Sequence, residues 1–395
     1  MTEAARAKSK RVSLWSAIGI FLIAANLRPA IVAVSPLLAQ IRADLGLNGT
    51  VAGLLTTVPV LCFGILSPLA PAASRRLGIE RVLFLSMAFL CIGIAIRLLP
   101  GVIPLFAGTI LVGAAIAFGN VLLPGLIKRD FAGQIGLMTG LYTMALSAGA
   151  SLSAGITIPI QQAANLDWRY SLAVWGLLVI AGMIVWFPQL KKRHGLSPRI
   201  RRISLNLWHS KLAWYITGFV GLQSFNYYAI TAWLPAFFID GGSDPATAGW
   251  MLSLANMVGL VASLVSGIVA GQMKRQRALG LIIAALVGVG VLGLILAPGA
   301  AYLWVVMIGI SQGSAITVVL TLMALRSPDA AHAAELSGMS QGVGYVVAAA
   351  GPIAVGALHD ITLSWTPALL LIVLSAVPQA FCAWGAGKDA HVVSR

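Results

Sequence analysis

The chain is predicted to be an all-α membrane protein, with twelve transmembrane helices in two pseudo-symmetric six-helix halves. Three observations predict this class. Of 395 residues, 59% are apolar and 9% charged, a balance that water-soluble domains do not carry. Apolar stretches near 20 residues long, enough to cross a bilayer, recur at about 13–41, 49–74, 80–99, 101–124, 134–160, 168–188, 211–239, 245–271, 277–297, 299–323, 335–358 and 363–387. The longest polar interruption, Gln189 to Ser210, divides them six and six.

The expected organisation is therefore an N-terminal half over residues 1–190, a basic cytoplasmic linker over 191–210 and a C-terminal half over 211–395. Pro100-Gly101 alone separates spans three and four, and Pro298-Gly299 spans nine and ten, so both pairs read as tight helical hairpins. The first apolar segment is too long for a signal-peptide core and reads as a retained span.

Charge placement sets the orientation. Of 26 Lys and Arg residues, 22 fall in the termini and even-numbered connections, while Arg42, Arg97 and Arg169 fall on the opposite side and Arg28 lies within a span. The positive-inside rule puts both termini in the cytoplasm. The net charge of +15 is then a topology signal with some attraction for anionic lipid, not a nucleic-acid footprint.

From Val12 to Ile41, Arg28 is the only ionisable side chain. A guanidinium at bilayer depth costs roughly 2.5–3.5 kcal/mol on insertion scales, and its planar fork suits a small oxyanion. All eleven acidic residues lie in loops, tails or span ends, so no deep carboxylate is available to pair with it. Pro29 should loosen the helix beside Arg28 and free the Ala25 carbonyl.

A weak internal repeat supports a central site. A shift of about 199 residues places Pro36-Leu-Leu on Pro235-Ala-Phe, and nearly the same shift places Ala52-Gly53 on Ala248-Gly249. Arg28 then falls opposite Tyr227 at equivalent depth. Repeated halves around a midplane site are how secondary transporters alternate access.

In span seven Gln223, Asn226, Tyr227 and Ile230 form one helical stripe expected to face the cavity, whereas Tyr228 lies on a neighbouring face and reads as packing. Span eleven repeats the pattern with Ser337, Gln341 and Tyr345, and span ten offers Ser314, Thr317 and Thr321. Asn26, Asn120 and Tyr142 complete the candidate substrate-binding set, although Asn26 points about 200° away from Arg28 in a regular helix. Such polar stripes also join helices to one another.

Other chemistries are not supported. Cys62, Cys91 and Cys382 lie in spans without metal-ligand spacing, and the five histidines lie outside the spans. An intramembrane enzyme would need converging acids or a nucleophile and base at depth. Gly288-Val-Gly-Val-Leu-Gly293 fits a dinucleotide pattern but lies inside an apolar span, where glycines allow close packing. No cofactor and no metal are expected, and a channel or receptor would not require the repeat.

With Pro68-Leu-Ala-Pro-Ala-Ala-Ser-Arg-Arg-Leu-Gly78 between spans two and three, the chain resembles the major facilitator superfamily. Within it, Asn26-Leu-Arg-Pro-Ala30 with Ser35-Pro-Leu-Leu38, Asp167-Trp-Arg169, Ser337-Gly-Met-Ser-Gln341, Gly344-Tyr345 and Gly351-Pro352 resemble the cyanate porter and nitroimidazole transporter family. The resemblance implies a monomeric inner-membrane transporter for a small molecule, without bond breaking. The solute expected is a cyanate- or nitrate-like or small organic anion or, alternatively, a neutral heteroaromatic such as a nitroimidazole. In the superfamily's loop between spans two and three an Asp is usual where Pro71 stands near, so a cytoplasmic gate is expected instead from Arg75 and Arg76 with Asp130 or Glu335.

Overall fold

A computed structural model describes residues 3–47, 49–191, 207–243 and 245–392. Most of the expected basic linker, residues 192–206, lies outside the described residues. The first span is built from α1 (Glu3–Asn26), α2 (Pro29–Val32) and α3 (Val34–Leu45), and the second from α4 (Gly49–Leu66) and α5 (Leu69–Leu77). There follow α6 (Ile79–Ile96), α7 (Val102–Asp130) and α8 (Ile135–Ala163), then α9 (Trp168–Ala173) with α10 (Trp175–Trp186) as the sixth span. The remaining six are α11 (Lys211–Asp240), α12 (Pro245–Gln272), α13 (Arg277–Leu296), α14 (Ala301–Leu325), α15 (Ala330–Thr362) and α16 (Trp365–Ala386).

Ten of these spans are long and apolar enough to cross a membrane, and eleven when the bent pair Thr57–Leu66 and Leu69–Leu77 counts as one. The twelfth is α11, whose 30 residues reach about 45 Å at 1.5 Å per residue. Gln223, Asn226, Tyr227 and Tyr228 at its centre make it the least uniformly apolar span.

Proline sets the breaks. Span two bends by 60° at Pro68, the N-cap of α5. Span one, expected as one helix, is in three pieces. Pro29 occupies the first turn of α2 and Arg28 is its N-cap residue, at φ −115° and ψ −39°. The missing Pro29 amide ends α1 at Asn26, and the Leu27 amide closes back on the Ala24 carbonyl at 3.0 Å. The Ala25 carbonyl, expected to be freed, faces Gly149 of α8 so closely that a Cβ there would lie 2.3 Å from it. Gly101, at φ +104°, turns the chain between α6 and α7 in a conformation that favours glycine.

Two of the arginines counted on the side away from the termini are held by specific contacts. Arg97 is 1% exposed. Its Nη1 donates to the Ala30 carbonyl at 2.6 Å, because Gly93 and Gly108 let α6 and α7 cross closely enough to enclose its stem. Arg169 builds a surface cap on span one: it pairs with Asp44 at 2.8 Å and Asp167 at 3.0 Å and lies 4.2 Å from the Trp168 ring.

Small residues bring spans five, eight and ten together. A Cβ added to Gly136 of α8 would stand 2.2 Å from the Gly267 carbonyl of α12, and one on Gly313 of α14 would stand 1.9 Å from the Gly259 carbonyl of α12. Backbones this close gain dispersion contacts that lipid tails cannot supply. Gly290 and Gly293, from the pattern set aside above, pack against Trp304 and Ile308 of α14.

Candidate functional site

The break at Pro29 turns Arg28 off the helix axis into a cavity bounded by spans one, five, seven, eight, ten and eleven. The cavity holds about 660 Å³ of space between atoms, part of it open to solvent. Among the described residues, Arg28 is its only charged lining residue. Its guanidinium carbon lies 5.6 Å from the Tyr227 ring centroid, within cation–π range, and Tyr228 lines the same cavity.

Aromatic rings hold one another around this charge. Tyr227 meets Tyr228 edge-on at 5.2 Å, Tyr228 meets Tyr345 at 6.5 Å, and Tyr345 meets Phe63 at 5.3 Å. Gln223 and Ser224 of α11, Thr143 and Ser147 of α8, Asn256 of α12 and Gln312 of α14 add polar groups to the wall. The site is cationic and rich in hydrogen-bonding groups, with aromatic faces and no carboxylate among its lining residues.

Of the nine expected binding residues, Arg28, Gln223, Tyr227 and Tyr345 line the cavity. The other five are engaged elsewhere. Asn26 donates to the Leu22 carbonyl at 2.8 Å and the Leu178 carbonyl at 3.1 Å, so its offset from Arg28 points it at span six. Asn226 donates to Gln379 at 2.8 Å and accepts from Ser375 at 2.5 Å, tying α11 to α16. At about 100° per residue, the cavity wall of α11 is the arc from Gln223 to Tyr228, and Asn226 falls about 60° outside it. That same arc includes Tyr228, which sequence reasoning assigned to packing.

Asn120, Tyr142 and Gln341 form a buried cluster joining spans four, five and eleven. The Tyr142 hydroxyl donates to Asn120 Oδ1 at 3.3 Å. Gln341 donates to the Asn120 carbonyl at 3.0 Å and to Ser337 at 2.7 Å. Thr317, from the weaker hydroxyl stripe, shares a 2.7 Å hydrogen bond with Thr143, linking spans five and ten.

The expected gate is partly assembled. Arg75, in α5, forms an ion pair with Glu335 of α15. Arg76 is exposed and makes no ion pair among the described residues. Asp130 pairs with its neighbour Arg129 at 2.7 Å, and Arg129 also reaches the buried Glu80 at 2.8 Å. The correction is sequence-local: Arg129 adjoins Asp130 and takes the carboxylate that Arg75 or Arg76 was expected to meet.

A polar cavity enclosed by membrane-spanning helices is the architecture of a solute transporter. The sequence model of the Major Facilitator Superfamily matches residues 14–352, and the chain belongs to that family. It is 43% identical to the uncharacterized transporter YycB of Bacillus subtilis (strain 168), over 96% of this chain and 95% of that one. It is 37% identical to the 2-nitroimidazole transporter of Escherichia coli (strain K12), over 95% of each chain. With the cyanate transport protein CynX of Escherichia coli (strain K12) it shares 29% identity over 87% of this chain and 89% of that one. In fold it is similar to the proton:xylose symporter XylE, at a TM-score of 0.77 and 14% identity, over 97% of each chain. The chain is thus a multi-pass secondary transporter acting on a small molecule, and it is not an enzyme.

Proposed function

We propose that the chain carries a small anion, cyanate- or nitrate-like or a small organic anion, across the inner membrane by alternating access around Arg28. The observation that carries this reading is the lone Arg28 guanidinium in a cavity with no lining carboxylate. A buried cation without a counter-ion gains most from an anionic ligand that accepts its planar fork.

The two moving bodies are residues 1–190 and 211–395, both termini are cytoplasmic, and one copy suffices. Arg75 to Glu335, Thr143 to Thr317 and the Gly136 to Gly267 approach all join the proposed halves on the terminus-bearing side. Breaking them together would open that side. Asn120, Tyr142 and Gln341 belong to this closure, and Arg28, Gln223, Tyr227 and Tyr345 to the ligand.

A second reading, favoured by the shell of tyrosine rings, is a neutral nitro-heteroaromatic whose nitro group takes the fork while a ring packs on Tyr227 or Tyr345. Two relatives point in these two directions, one being named for cyanate and the other for 2-nitroimidazole.

The test is thermal stabilisation of purified wild type and Arg28→Ala by cyanate, nitrate, benzoate and 2-nitroimidazole, since a ligand of the folded state raises its stability. Stabilisation by an anion in wild type alone supports the main reading. Stabilisation by 2-nitroimidazole alone selects the second. Equal stabilisation of Arg28→Ala overturns both.

A further inference from the structure

We propose that Gln312 is the second pole of the binding site, donating a hydrogen bond to an acceptor atom on the ligand remote from the anionic group held by Arg28. The inference rests on the anion reading above and adds to it a demand on the ligand's other end.

Three successive residues of α14 face three different surroundings, as the helical turn of about 100° per residue requires. Ser311 donates to the Ile283 carbonyl of α13 at 2.7 Å. Gly313 lies against Gly259 of α12 with no room for a side chain, and Gly309, one turn earlier, lies against Ala255, where an added Cβ would stand 2.5 Å from the Ala255 carbonyl. Gln312 falls between these two anchored faces, and there it lines the cavity. Thr317, bound to Thr143, fixes the helix again further along. The rotation of α14, and with it the direction of Gln312, is set from three sides.

Gln312 is 8% exposed, and its Nε2 has no hydrogen-bond partner among the described residues. A buried amide donor without a partner costs about 1–3 kcal/mol, so a cavity-facing one is a place for a water or a ligand acceptor. Asn26, Asn226 and Gln341 are all satisfied by protein, and Gln223 donates to the adjacent Ser224 hydroxyl at 2.6 Å. Asn256, the other amide on the cavity wall, is only half-buried, so Gln312 is the buried cavity amide whose donor is left for a ligand. A site with a cationic fork at one pole and an amide donor at another selects a planar anion that also carries a ring nitrogen, carbonyl or ether oxygen.

Benzoate and the three pyridinecarboxylates make the test. They share shape, volume and, above neutral pH, charge, and differ only in whether and where the ring carries an acceptor nitrogen. At least one isomer should bind wild type about three- to ten-fold more tightly than benzoate, the equivalent of one neutral hydrogen bond. Gln312→Met, which keeps side-chain length but removes the donor, should still bind benzoate and lose that preference. Equal or tighter binding of benzoate than of every isomer overturns the inference alone, as does a preference that survives in Gln312→Met. Loss of benzoate binding in Gln312→Met would place Gln312 on the carboxylate instead and overturn the two-pole assignment. Binding of none of the four would overturn the inference together with the organic-anion form of the reading it rests on, while cyanate and nitrate in the thermal series test the rest of that reading.

Discussion

Arg28 of the first span stands 5.6 Å from the ring centroid of Tyr227 in the seventh, and the two residues are separated in sequence by the same interval that places Pro36 on Pro235. The pairing lets a cation sit at membrane depth without a carboxylate. The ring face offsets part of the desolvation cost, by about 0.5–2 kcal/mol, and leaves the N–H edges of the fork for a ligand.

The ring, more than its hydroxyl, should therefore matter. Tyr227→Phe should hold anion affinity within about three-fold of wild type. Tyr227→Leu should weaken it by about 0.5–2 kcal/mol, measured by titration calorimetry on folded protein. An effect of Phe as large as that of Leu would make the hydroxyl a direct ligand and the ring incidental.

Arg97 should show stability and function pulling in opposite directions. Its guanidinium is buried, with Nε and Nη2 unpartnered among the described residues, and one bond to the Ala30 carbonyl returns about 1.5–3 kcal/mol. The burial cost of an unpaired cation is several kcal/mol. Arg97→Met should then melt no lower than wild type, yet bind anions more weakly, because the turn carrying Arg28 loses its hold on Ala30. A fall of several degrees in melting temperature would show that the charge is better compensated than this accounting allows.

Much of the fold was legible because a bilayer imposes one simple demand, and apolar length satisfies it in eleven spans when the bent pair counts as one. Arg28 was legible for the same reason, since a lone charge at depth stands out against apolar neighbours. The polar amides were harder. Whether Asn226 or Tyr228 faces the cavity depends on about 60° of helix rotation, which neighbouring spans set and which one helix's pattern does not contain. Gln312 had a usable signal in Gly309-x-x-x-Gly313, a small-residue spacing that marks a packed face and turns the residue between toward another surface. The burial of Arg97 was not legible, because at a span's edge it depends on how closely the helices cross at Gly93 and Gly108.

Spans five and eight should tolerate no added bulk at their seam. Gly267→Ala would put a methyl 2.6 Å from the Gly136 carbonyl, far inside contact distance, so closure on the terminus-bearing side should fail. In a variant lacking Cys62, Cys91 and Cys382, a cysteine at Ala334, buried against Gly125, should become reactive to a water-soluble maleimide when Gly267→Ala is present. Transport should fall by at least about ten-fold, the equivalent of 1.4 kcal/mol lost from the closed state. Unchanged labelling with normal transport would mean that the seam is not part of the moving contact.

The energetics of transport follow from which acids the cavity lacks. A proton carrier in the membrane is usually an Asp, Glu or His facing the bundle interior, and the cavity here is lined by none. The acids nearest the terminus-bearing side are already committed, Glu335 to Arg75 and Glu80 to Arg129. Protonating Glu335 would leave Arg75 without the carboxylate it pairs with, and protonating Glu80 would leave Arg129 with Asp130 alone, which opposes a role in every cycle. Substrate movement should thus be facilitated diffusion or exchange at Arg28. In proteoliposomes, exchange of anion for anion should persist when the pH gradient is collapsed, and preloading with substrate should speed uptake. Accumulation driven by an imposed proton gradient alone, and abolished by Glu335→Gln, would reverse this conclusion: the Arg75 ion pair would then be the site where the proton enters, and opening of the terminus-bearing side would be coupled to its protonation.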